Sequence, residues 1–226
     1  MKNYSMKCLV KLLISVCALS MGFMGCGKDS SNSNPMDNVQ QAAKDPDLQG
    51  KIFRGDCSMK PLDAIATGIA TSGDASVKSA REQFEFVGAN LTHAILLFNT
   101  SDCSGDVSLT FRQMGTFDID IRKATGEGAK SIDINYGKLS LTINNDRGLK
   151  IATSIKLCGA DDWKLNDQRE VTDHAGNMTC YRQKMPVKVV NIYRVEGKTL
   201  FFGANGASAS ENRPTQLDRN TKYMAD

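Results

Sequence analysis

Between residues 116 and 157 apolar side chains recur at every second position. Phe117, Ile119 and Ile121 alternate with Asp118 and Asp120, and Ile132, Ile134 and Tyr136 repeat the pattern. Leu139, Leu141 and Ile143 do the same, and Leu149, Ile151, Ile155 and Leu157 follow, with Lys150 and Lys156 expected to face outward. A period of two places successive side chains on opposite faces of a strand. One-sided alternation of this kind belongs to antiparallel sheets with one face on the core and one in water. Turn-forming groups punctuate the runs at Ser104-Gly105, Gly126-Glu127-Gly128, Tyr136-Gly137 and Asn144 to Gly148. Glu196-Gly197 joins VVNIYRV to KTLFFGA as a tight hairpin. The expectation is an all-β domain of about ten strands with no long helix. Successive hairpins favour an antiparallel up-and-down β-barrel, because closure removes exposed edges. A β-sandwich is the alternative.

The N-terminus carries a different signal. Lys2, Lys7 and Lys11 stand in the first stretch with no acid, and Leu12 to Phe23 is an apolar or small run ending at Gly25-Cys26. About a dozen apolar residues suit a secretory signal peptide, whereas a spanning helix needs roughly 20. The junction resembles the lipobox of bacterial lipoproteins. The resemblance implies cleavage after residue 25, acylation of Cys26 and attachment to a membrane. Gly27 after the anchor implies sorting to the outer membrane of a Gram-negative cell.

Removing residues 1–25 takes away three lysines, leaving 28 − 3 = 25 basic against 25 acidic residues, a net charge of zero. A neutral chain lacks the basic footprint that phosphate backbones require, so nucleic acid is not an expected partner. Residues 26–47 are polar and without aromatics, the composition of a flexible tether. The domain is expected over residues 48–226, opening with the strand KIFRGDC, with LDAIATGIA ambiguous between helix and loop. The segment from Ser208 onward, without alternation, is expected to wrap the outside.

Cys8 and Cys17 leave with the signal, so Cys57, Cys103, Cys158 and Cys180 remain, an even number suited to an oxidising compartment. Four cysteines allow three pairings. Cys57–Cys103 with Cys158–Cys180 is the sequential choice that closes the shorter loops. No pair has C-x-x-C spacing, so no zinc site is expected. Residues 159–183 break the strand rhythm with a long polar loop containing Trp163, the only tryptophan, and loops of that length are often functional. Its acids Asp161, Asp162, Asp167, Glu170 and Asp173 lack the glycine-pinned spacing of a calcium loop. A soft-metal set of His174, Met178 and Cys180 competes with the disulfide for the same thiol. His93, in THAILLF, is expected to be a satisfied sheet residue. No G-x-S-x-G, P-loop or H-E-x-x-H occurs, so neither an enzyme nor a cofactor is expected.

A second resemblance covers most of residues 48–215. Leu48-x-Gly50, the cysteine shortly after it, Leu200-Phe201-Phe202-Gly203 and the late Arg213 look like lipocalin-like lipoproteins. In that family a Gly-x-Trp opens the first strand, and here Ile52 takes the Trp position, with Phe53 expected on the opposite face. The resemblance implies a carrier of a small hydrophobic ligand. Candidate ligand-lining residues are Phe117, Ile134, Tyr193 and Phe201 inside the barrel and Trp163 as lid or plug at its mouth. The alternative function is a packed barrel that uses the 159–183 loop to contact an envelope or extracellular protein.

Overall fold

The computed structural model describes residues 45–59, 63–65, 69, 77–120, 127–204 and 212–226. The signal segment, Cys26 and the tether to residue 44 lie outside them, as does most of LDAIATGIA. Nine strands form: β1 (Ile52–Gly55), β2 (Ser79–Val87), β3 (Asn90–Phe98), β4 (Val107–Asp120), β5 (Lys130–Ile143), β6 (Gln168–Glu170), β7 (Val187–Glu196), β8 (Thr199–Phe202) and β9 (Tyr223–Ala225). Each pairs antiparallel with its neighbours, and β4 also pairs with β5, so the sheet closes on itself. Eight strands make an up-and-down barrel. The ninth, β6, lies beside Ser140–Thr142 of β5, while β7 takes Lys130–Tyr136.

β5 explains how one strand can carry two phases of alternation. Ile132, Ile134 and Tyr136 face inward, and so do Leu139, Leu141 and Ile143, although the second set is out of step with the first. The register resolves this: Gly115 pairs with Tyr136 but Met114 with Lys138, leaving Gly137 as an extra residue on β5. Tyr136-Gly137 is thus a β-bulge within one 14-residue strand rather than a turn between two. Gly115 allows the close approach opposite it, since a Cβ there would sit 2.1 Å from the Asn135 carbonyl oxygen.

The run Leu149 to Leu157 is not a strand. Asp146–Ser154 forms a helix, α1, in place of the expected alternation. Asn145 caps it by accepting from the Gly148 N–H at 2.9 Å. Gly148, Ile151 and Ala152 form its buried face, at helical spacing. Gly148 packs so tightly on β4 that a Cβ would lie 2.0 Å from the Ser108 carbonyl oxygen.

Both ends of the barrel are filled. At one end α1 and the 157–181 segment cover Leu97, Leu109, Phe111, Leu141 and Ile143. Trp163 is part of this cap: it is 4% exposed, and its indole N–H donates to the Leu157 carbonyl at 3.0 Å. The Arg169 guanidinium lies 4.6 Å from its ring centre and is itself held by Asp162 and Asp167. Cys158–Cys180 ties the cap, and Cys57–Cys103 joins the β1 exit to the β3–β4 turn.

At the other end Leu48, Phe53, Phe86, Leu91, Phe117 and Ile119 pack together. Phe53 is the inward residue of β1, fully buried and edge-on to Phe86, while Ile52 is only half-buried. Residues 45–47, ahead of Leu48, belong to this end as well, because Asp45 is docked. Its carboxylate accepts from Tyr193 and Lys130, and Lys130 also reaches Asp47 at 2.9 Å. Burial alone would raise the Asp45 carboxyl, but the bonds from Lys130 and Tyr193 more than offset it and hold it below the usual carboxylate range.

The C-terminal segment does not merely wrap the outside. β9 pairs with both β8 and β1 and closes the barrel. Three residues are too few to show alternation. The Arg213 guanidinium donates to the carbonyls of Ile132 and Asn191 and pairs with Asp133.

Candidate functional site

Between the two packed ends the barrel interior changes character. Three polar side chains occupy inward positions on adjacent strands: Glu82 on β2, His93 on β3 and Gln113 on β4. Each is in step with apolar neighbours that fill the ends, such as Phe84 and Phe86, Leu91 and Ile95, and Leu109 and Phe111. Their phase along each strand, once the sheet closes, carries them into the interior.

They form one chain of contacts. His93 Nε2 is 3.0 Å from Glu82 Oε1, and His93 Nδ1 is 2.8 Å from Gln113 Oε1. The Gln113 amide nitrogen donates to Gln183 Oε1 at 3.3 Å, which turns its oxygen toward the imidazole. Both ring nitrogens therefore face oxygen acceptors, an arrangement that a doubly protonated imidazolium satisfies. Tyr223 donates to the other Glu82 oxygen at 2.9 Å. Burial works to raise the Glu82 carboxyl, but the bonds from His93 and Tyr223 and the charge of His93 outweigh it, so Glu82 stays below the usual range. The imidazole stacks on Phe84 with ring centres 4.3 Å apart. His93 is thus fully engaged, with neither nitrogen left over for a general base.

Beside this chain lies a cavity of about 490 Å³. Its walls include Phe84, Tyr136, Tyr181, Phe202 and Tyr223, with Ile134 and Val189, and the polar groups Glu82, His93, Gln113, Gln183 and Asn191. Gly203, Asp218 and Thr221 border it where the β7–β8 ladder ends at Tyr193 and Phe202. Tyr136 and Tyr181 are 5% and 2% exposed, yet neither hydroxyl has a hydrogen-bond partner among the described residues. Burial pushes both phenols upward, and the Glu82 charge adds to it, so both stay protonated. The bulge at Gly137 sits at this level and directs Tyr136 inward.

The residues singled out from the sequence divide. Ile134 lines the cavity. Phe117 and Tyr193 point inward but are packed into the Leu48 end, and neither borders the cavity. Phe201 is one residue out of phase: Tyr193 pairs with Phe202, which therefore shares the interior. Phe201 faces outward into a small cluster with Ala129, Ile192 and Leu217, under the Arg219 guanidinium. Trp163 is sealed in the opposite cap and reaches neither cavity nor solvent. Among the described residues, no three His, Cys, Asp or Glu side chains gather where they could hold a metal ion. None of their helices is long and apolar enough to cross a membrane.

Compared with known proteins, the chain matches no family model and no curated protein. Fold and geometry define its class: a closed eight-stranded antiparallel barrel with two disulfides, which suit an oxidising, extracytoplasmic compartment.

Proposed function

We propose that this protein is a membrane-tethered extracytoplasmic binding module that holds one small molecule at the waist of its barrel. The observation that carries this reading is the cavity of about 490 Å³ itself, walled by five aromatic side chains, among them Tyr136 and Tyr181, whose hydroxyls have no hydrogen-bond partner among the described residues. The cavity falls within the size range of small-molecule sites, and its mixture of aromatic walls and a few polar groups is typical of them. The ligand is accordingly amphipathic rather than purely hydrophobic.

The test is native mass spectrometry of the full chain released from mild detergent, followed by extraction of the unfolded protein. A 1:1 adduct that is lost on unfolding supports the reading. An apo mass that also resists loading by a small-molecule library counts against it. Tethering follows from the lipobox resemblance at Cys26, where Cys26→Ser should abolish labelling by radioactive palmitate and release the domain from the membrane fraction.

A further inference from the structure

The charge and the walls of the waist cavity together select among small molecules. Five of the side chains on its wall are aromatic, in a chain whose aromatic content is only 7%. Its charged lining consists of two carboxylates, Glu82 and Asp218, and one imidazole, His93, with no lysine or arginine. With both carboxylates ionised these three groups sum to 2 − 1 = 1 negative charge if His93 is protonated and to two if it is neutral. The His93 imidazole is bound to Glu82 and covered on a face by Phe84.

Aromatic faces carry negative quadrupole density and attract cations, an attraction that grows when water is excluded. The Tyr136 and Tyr181 hydroxyls, without a hydrogen-bond partner among the described residues, can accept hydrogen bonds as well as donate them. An anionic headgroup would instead meet Glu82, whose field already reaches both phenols.

We infer that the cavity binds a small organic cation, an amine or quaternary ammonium on an apolar body, with Tyr136, Tyr181 and Glu82 setting the preference. This rests on the binding-module reading above. The test is isothermal titration of the full chain in mild detergent with three probes of similar shape: benzyltrimethylammonium, its neutral isostere neopentylbenzene, and the anion phenylacetate. The expected result is 1:1 binding of the ammonium, about tenfold or more tighter than the neutral probe, and no measurable binding of the anion. Asp218→Asn and Glu82→Gln should each narrow the gap between ammonium and neutral probe. If the neutral probe or the anion binds as well or better, the cation inference is overturned while the binding module stands. If none of the three binds and native mass spectrometry shows no adduct, the binding module itself fails.

Discussion

The two ends of the barrel and its waist are built on the same eight strands but solve opposite problems. At the ends the inward positions are almost all apolar or aromatic, with Lys130 bound to the docked Asp45 as the exception, and residues such as Phe117, Leu97 and Ile143 are essentially without exposure. At the waist the same alternation delivers Glu82, His93 and Gln113, and the space they do not fill stays open. Burying an ion pair is at best neutral for stability compared with well-packed apolar side chains. The ends therefore hold the fold, and the waist is what the fold holds in place.

That contrast can be broken from either side. The largest effect is expected at an end: Phe117→Ala should cost about 3–5 kcal/mol in urea unfolding, because a fully buried ring leaves a cavity that its neighbours cannot close. Replacing Cys158 and Cys180 together by Ser should cost about 3 kcal/mol by freeing a 22-residue separation in the unfolded chain. Trp163 lies under that bridge, so its emission should shift to the red in the double variant well before the barrel melts.

At the waist, Glu82→Gln should cost about 2 kcal/mol, less than for a fully buried pair, because its side chain retains 25% exposure. The same variant tests a pH effect. The folded-state value of Glu82 is held below its ordinary 4.5. Its stabilisation is thus complete above that pH and is lost as pH falls through the folded value. The variant should show a shallower loss of stability on acidification, measured as Tm against pH.

The smallest effects separate two buried tyrosines. Tyr193→Phe removes a bond to the buried Asp45 carboxylate and should cost about 1.5 kcal/mol. Tyr136→Phe removes a hydroxyl with no protein partner and should change stability by less than about 0.5 kcal/mol, in either direction. If Tyr136→Phe proved as costly as Tyr193→Phe, the distinction between end and waist would be lost.

Much of the ends was legible in the sequence, because alternation reports which face a strand buries. The all-β class and the hairpin at Glu196-Gly197 follow from the sequence, while the barrel over a sandwich and the two disulfide pairs, one choice among three pairings, are preferences that the structure bears out. The phase slip between Tyr136 and Leu139 was also visible, but a glycine at the slip suits a turn as well as a bulge, and only pairing with β4 separates them. In α1, Leu149 and Ile151 fit a period of two, while Gly148, Ile151, Ala152 and Ile155 fit a helix behind an Asn cap. The longer pattern decides. The waist was hidden for a different reason. A polar residue in a strand is ordinarily assigned to water, so Glu82 and Gln113 drew no notice, and His93 was seen only as a satisfied sheet residue. The available signal was their phase: each stands where its strand otherwise places Phe, Leu or Ile.

β1 and β9 meet as Phe53 opposite Ala225, so the sheet is joined by two of the segments most distant along the chain. Until residues 223–225 pair, β1 and β8 each keep one edge without a strand beside it. Such edges invite pairing with other chains. The interval before β9 docks is therefore when this protein is most exposed to aggregation.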